Sequence, residues 1–178
     1  MRVKIFTTGG SIDKRYSTQE SEFTIGEPAV GRILRQANVT LDYEIEPLVR
    51  KDSLDVTESD RLLITERVLG DPTRRIVITH GTDTMIETAR AFSSCQGKTI
   101  VLTGAMQPAA CMDSDAAFNV GAGLIAAQIL PAGVYLVMNG QLFDPRSAHK
   151  NAAADRFEAQ GGAPRPVLDL TADADLPG

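Results

Sequence analysis

Arg75-Ile76-Val77-Ile78-Thr79 is an unbroken apolar run, followed at once by His80-Gly81-Thr82-Asp83-Thr84. A run without polar alternation suits a strand buried on both faces, and such strands belong to parallel sheets covered by helices on either side. The layout recurs along the chain. Val3 to Thr7 ends in Thr8-Gly9-Gly10-Ser11, Lys98 to Thr103 ends in Gly104-Ala105-Met106-Gln107-Pro108, and Val134 to Met138 ends in Asn139-Gly140. Tyr43 to Val49 alternates well enough for a further strand.

Helical spacing fills the gaps. Val56-Thr57-Glu58-Ser59-Asp60 leads into Leu62, Leu63, Ile64, Val68 and Leu69, and Gly70-Asp71-Pro72 stops that helix. Thr84 and Glu87 have the spacing of a capping box ahead of Met85, Ile86, Ala89 and Phe92. The Ala-rich stretch from Asp115 to Leu130 reads as a packed helix. Strands alternating with helices in this way predict an α/β domain with an open, mostly parallel sheet and helices on both faces. Residues 1–157 form that domain, and residues 158–178, rich in Gly, Pro and Asp, form a C-terminal tail.

Composition narrows the function. The 178 residues carry a net charge of −5, with a pI near 5.0, so there is no basic stripe for phosphates and nucleic acid is excluded as a partner. No apolar run reaches the length of a membrane span, and no membrane partner is expected. Two cysteines, Cys95 and Cys111, and two histidines support neither a disulfide framework nor a zinc site, and the expected location is cytoplasmic.

In open parallel sheets, ligands bind beyond the carboxyl ends of the strands. Here those ends carry TTGGS, KDSLD, THGTDT, TGAMQP and NGQLFDPR, so hydroxyls, carboxylates and glycines gather at one edge. Taken singly, Thr8-Gly9-Gly10-Ser11 serves as a tight turn, Asp52, Ser53 and Asp55 as turn residues, and the Thr and Asp after His80 as helix caps. The first loop lacks the third glycine of a dinucleotide fingerprint and the ending of a P-loop. Together, however, the loops supply what activates an oxygen nucleophile, because a neutral hydroxyl attacks poorly until a base removes its proton.

These motifs resemble the bacterial-type L-asparaginase family. The resemblance rests on Thr8-Gly9-Gly10-Ser11-Ile12, Ser53-Leu54-Asp55, His80-Gly81-Thr82-Asp83-Thr84, Gly104-Ala105-Met106-Gln107-Pro108 with Phe118-Asn119, and Val137-Met138-Asn139 followed by Lys150, all in the family's order. It implies the fold of the family's N-terminal domain and hydrolysis of L-asparagine to L-aspartate and ammonia, without metal or other cofactor. Ser11 then stands in the place of the first-loop nucleophile, with Thr82, Asp83 and Lys150 as a second set. Lysine accepts a proton only in its neutral form, and a neighbouring carboxylate favours the charged one, so the group that takes the proton stays open. Backbone amides near Gly10 and Thr82 would form the oxyanion hole, Ser53 would hold the substrate carboxylate, Asp83 the ammonium group, and the Ala105 carbonyl the leaving amide. Asp52 joins the substrate-binding group.

The sequence departs from the family pattern in four places. Ser11 replaces a threonine, Leu54 a glutamine that helps bind the ammonium group, and Phe23, in Ser21-Glu22-Phe23-Thr24, a loop tyrosine. A phenyl ring cannot donate a hydrogen bond, and Tyr16 in the same segment is the candidate substitute. The fourth is length: the family's smaller C-terminal domain, which gives an acidic residue to a neighbour's site, is not expected here. The resemblance also implies a homo-oligomer. Leu54 and Phe23 keep two alternatives in view, a binding or regulatory module with the same pocket, and an amidase for glutamine or another small amide.

Overall fold

The computed structural model describes residues 1–92 and 97–159; Cys95 and the expected tail beyond Ala159 lie outside the described residues. In chain order the elements are β1 (Arg2–Gly9), β2 (Lys14–Ser17), β3 (Glu22–Ile25), α1 (Val30–Gln36), β4 (Asp42–Lys51), α2 (Glu58–Gly70), β5 (Arg75–Thr79), α3 (Met85–Arg90), β6 (Thr99–Thr103), α4 (Ala116–Ile129), β7 (Gly133–Met138), β8 (Gln141–Phe143), β9 (Ala148–Asn151) and β10 (Arg156–Ala159). The main sheet runs β4-β1-β5-β6-β7-β8. Its first five strands are parallel, and only β8 pairs antiparallel, against β7. The α/β doubly wound architecture expected from the apolar runs is therefore present.

The unbroken runs lie where two-sided burial requires them. Val3, Ile5, Val77 and Val101 face one layer with residues of α1 and α4, while Phe6, Ile76, Ile78, Ile100 and Leu102 face the other with residues of α2 and α3. Fully burying each such side chain contributes about 1.5–3 kcal/mol, so the central strands are fixed by both layers at once. Lys4 is the exception in β1: it is only 5% exposed. Its ammonium lies 2.7 Å from both Glu44 and Glu46 of the neighbouring edge strand β4. Burial disfavours the charge, but the two carboxylates outweigh that and raise the group above its ordinary value.

Several local expectations change. The Thr84–Glu87 capping box does not form; the Thr84 hydroxyl instead donates to the Ser53 carbonyl at 2.7 Å, a tertiary bond that outcompetes the local one. The box is found one helix earlier, where Thr57 and Asp60 close it at the start of α2. Leu62 and Leu63 are exposed, and the buried residues of α2 are Ile64 and Val68. Helix α1, the β2–β3 hairpin and strands β8 to β10 have no counterpart among the expected elements. Each is at most seven residues long, too short for periodicity to register. β10 also extends to Ala159, two residues past the expected domain boundary.

Candidate active site

The strand order creates a switch point. From β1 the chain crosses to β4 on one side, then passes back to β5 on the other, and the carboxyl ends of the strands at such a switch point are the usual ligand position in these sheets. The backbones meet closely here. Gly9 and Gly10 have φ of +90° and +81°, a conformation glycine adopts without steric cost. A Cβ on Gly10 would fall on the Gly81 backbone, and one on Gly81 would fall on the Ser53 side chain. The Gly10 amide donates to the Lys51 carbonyl at 2.8 Å, and the Thr8 hydroxyl to the Thr79 carbonyl at 3.1 Å. Glycine is thus required at Gly10 and Gly81 to bring the β1, β4 and β5 loops together.

At that junction a lysine meets a hydroxyl and a carboxylate. Lys150, on β9, donates to Thr82 Oγ1 at 2.8 Å and to Asp83 Oδ1 at 2.6 Å. Thr82 is only 2% exposed. Asp83 Oδ2 lies 3.5 Å from the Ser53 hydroxyl, which joins the β4 loop to the same set. Lys150 reaches across because the β9–β10 hairpin is tied down. The Phe157 amide donates to Asn139 Oδ1 at 2.9 Å, the Phe157 side chain is buried, and its ring lies 6.3 Å from that of Phe143. An ammonium bonded to a hydroxyl oxygen and a carboxylate holds that hydroxyl in place and can give a proton to a leaving group; it takes one up only once it is neutral.

The loop after β6 completes the edge. Ala105 is fully buried, and a Cβ on Gly104 would fall on the His80 carbonyl. Asp115, expected at a helix start, makes no cap for its own helix; its carboxylate accepts from the Met106 and Gln107 amides, each at 3.0 Å. Asn119 donates to the Gly104 carbonyl at 3.0 Å and to Asp115 at 2.8 Å. A helix-initial aspartate is usually read as a cap, which is why its grip on this loop is not visible in the sequence.

Two buried ionisable groups lie in the loops that follow β1 and β5. His80 is fully buried, with Nδ1 2.8 Å from the Gly81 carbonyl and Nε2 2.9 Å from the Thr88 hydroxyl. A carbonyl only accepts, so Nδ1 carries the proton and Nε2 accepts from Thr88. Burial pushes its ionisation down to about 4, which keeps the ring neutral. Asp13, just past Ser11, is 5% exposed and accepts from the Ala29 amide at 2.7 Å. Burial outweighs that bond and raises its carboxyl to about 6.

The structure brings Gly10, Ser53, Thr82, Asp83 and Lys150 into one neighbourhood. Ser11 opens a short 3-10 turn, Ser11–Asp13, and is half-buried. Asp52 is occupied: it accepts from the Leu54 amide at 3.1 Å and pairs with Lys14 at 2.5 Å. Burial alone would raise its carboxyl, but Lys14 and the Leu54 amide hold it below the usual range. Tyr16 is 56% exposed on the hairpin, in edge contact with the directly opposite Phe23. Leu54 is 74% exposed. Lys14, Asp13, Thr84 and Asp115 are the positioning residues that sequence reasoning missed, the first three because each acts on a residue distant in sequence, and Asp115 because it reaches back to the preceding loop. Among the described residues, no helix is long and apolar enough to cross a membrane.

Comparison with known proteins places the sequence and the fold in one family. The family profile described as "Asparaginase, N-terminal" matches residues 2–170. L-asparaginase 2 of Escherichia coli is 33% identical over 165 residues, covering 86% of this chain and 47% of that protein. Glutaminase-asparaginase of Acinetobacter glutaminasificans is 29% identical over 181 residues, covering 90% and 54%. The chain thus spans about half the length of the curated relatives it matches. The solved thermostable L-asparaginase from Thermococcus kodakarensis superposes with a TM-score of 0.77 at 25% identity, covering 89% of this chain and 51% of that one.

Proposed function

The chain belongs to the asparaginase family, and from that premise we propose that it hydrolyses the side-chain amide of L-asparagine to L-aspartate and ammonia. The observation that carries this reading is the pair of bonds from Lys150 to Thr82 and Asp83, at 2.8 and 2.6 Å. A hydroxyl oxygen adds to the amide carbonyl as its proton passes to a basic group. The C–N bond then breaks, the nitrogen leaving as ammonia with that proton, and water releases aspartate from the resulting ester. The Gly10 amide is occupied by the Lys51 carbonyl, so the backbone amide of Thr82 stabilises the oxyanion, an effect worth about 3–4 kcal/mol for a single donor.

Ser53 binds the substrate carboxylate. Asp83 offers its second oxygen to the ammonium group while the first holds Lys150, and the Ala105 carbonyl accepts from the leaving amide. Ser11 supplies the attacking hydroxyl on the family pattern. A reading in which Thr82 itself attacks is favoured by one observation, that the ammonium of Lys150 bonds the Thr82 oxygen. Ser11→Ala and Thr82→Ala separate the two. Single-turnover trapping of an acyl ester lost only in Ser11→Ala assigns attack to Ser11, and an ester lost only in Thr82→Ala assigns it to Thr82. Tyr16 is the proposed hairpin group over the site, and the proposed location is cytoplasmic.

A glutaminase-asparaginase among the relatives supports a second reading, in which glutamine is also a substrate. Ammonia release measured with each amide decides between them. Aspartate binding by calorimetry with no ammonia from either amide would instead support a binding module and refute turnover.

A further inference from the structure

Ala105 is fully buried, yet its carbonyl accepts no hydrogen bond from any described residue. Buried carbonyls are normally paired, so one left open beyond the carboxyl end of β6 marks a place for a ligand's donor. Asp115 governs where that carbonyl points. The Ala105–Met106 peptide bond is trans and planar, so its C=O and N–H point in opposite directions. One Asp115 oxygen accepts from the Met106 N–H and the other from the Gln107 N–H, each at 3.0 Å. Fixing the Met106 N–H toward Asp115 therefore fixes the Ala105 carbonyl away from it. Asn119 donates to the same Asp115 oxygen that holds Met106, at 2.8 Å, and to the Gly104 carbonyl at 3.0 Å, so both peptide planes flanking Ala105 are anchored. The Ser114 hydroxyl donates to the Gln107 carbonyl at 2.9 Å, which secures the far end of the loop.

We propose that Asp115 is a positioning residue that sets the site's preference for amides over esters, by aiming and polarising the Ala105 carbonyl. A carboxylate that pulls on an N–H makes the carbonyl of the same peptide a stronger acceptor, because hydrogen bonds in a chain reinforce one another. The amide nitrogen of the substrate donates to that carbonyl. As the C–N bond breaks and the nitrogen takes up a proton, it becomes a stronger donor, so the contact tightens toward the transition state and raises the rate. An ester oxygen in the same place carries no hydrogen and meets the carbonyl oxygen acceptor to acceptor. Asp115 thus assists departure of nitrogen and gives nothing to departure of oxygen. The inference rests on the amidase reading above and adds to it the group that tells the two leaving atoms apart.

Hydrolysis of L-asparagine and of the β-methyl ester of L-aspartate by the purified full chain tests it, with ammonia measured for the first and methanol for the second. Wild type is expected to cleave both. Asp115→Asn keeps one acceptor oxygen but loses the charge and the second acceptor. It should lower kcat/KM for asparagine at least about tenfold, as loss of a charged hydrogen bond requires, and that for the ester by less than about threefold. Asn119→Ala leaves the carboxylate in place without its side support and should lower the amide-to-ester ratio by a smaller factor; it decides the matter if Asp115→Asn does not fold. Ester turnover retained in either variant shows that the rest of the site is intact. Equal losses on the two substrates, or a ratio unchanged in both variants, would overturn the role of Asp115 and leave the amidase reading standing. No ammonia from wild type would overturn that reading and this proposal together.

Discussion

Replacing Asp13 with asparagine should change the pH dependence of stability in a direction that the whole-chain charge does not foretell. Burial raises the Asp13 carboxyl from 3.8 to about 6, a displacement worth about 3 kcal/mol. Between these values the folded chain retains a proton that the unfolded chain has lost. Asp13 therefore contributes stability that is complete below pH 4 and lost as pH rises through 6. His80 runs the other way. Its ionisation falls from 6.5 to about 4, also about 3 kcal/mol, so its contribution is present above pH 6.5 and lost as pH falls toward 4. In wild type the two slopes nearly cancel. The asparagine side chain keeps an oxygen for the Ala29 amide but does not titrate, so Asp13→Asn should match wild type near pH 4 and exceed it by about 2–3 kcal/mol at pH 7.5. Urea unfolding followed by circular dichroism at pH 4, 5, 6 and 7.5 reads both curves. A difference between variant and wild type that stays flat over this range would refute the buried, high-affinity carboxyl at position 13.

Gly81→Ala should lower stability by about 2 kcal/mol or more, because the new methyl overlaps the Ser53 side chain in a packed junction; a thermal melt equal to wild type contradicts the close approach of the loops. Asn119→Ala removes the bonds to Gly104 and Asp115 and should cost about 1–3 kcal/mol, measured by urea unfolding. The Lys14–Asp52 pair links the hairpin to the Ser53 loop, and being partly exposed it should show a coupling of only about 0.5–1 kcal/mol in a double-mutant cycle. Lys14→Met should also speed proteolytic cleavage within residues 14–25, and unchanged cleavage would mean the pair does not restrain the hairpin.

How far the sequence reads depends on the range of the forces involved. The runs at Val3 to Thr7 and Arg75 to Thr79 announce β1 and β5 because burial on both faces leaves an unbroken apolar string. Gly10 and Gly81 are legible as punctuation, yet their direct contact is not, since it joins residues far apart in sequence through the parallel register of β1 and β5. Lys150 is reachable only through the resemblance. It lies on a four-residue strand with no apolar pattern, and only the anchoring of Phe157 to Asn139 places its ammonium at Thr82. Thr84 misleads for a physical reason: a local cap and a tertiary bond compete for one hydroxyl, and sequence displays only the local option. Asp115 and Asp52 show the same ambiguity, one reaching back to a loop and the other capping while it pairs with Lys14.

The central claim is that the Lys150–Thr82–Asp83 arrangement drives amide hydrolysis, and the most direct measurement is ammonia release from L-asparagine by purified wild type, Thr82→Ala and Lys150→Met. Wild type is expected to release ammonia and aspartate in equal amounts. Both variants should lose at least about 100-fold in kcat, the scale of positioned acid–base catalysis, with circular dichroism and thermal melts unchanged. No ammonia from wild type, or a variant that turns over at close to its rate, would contradict that claim.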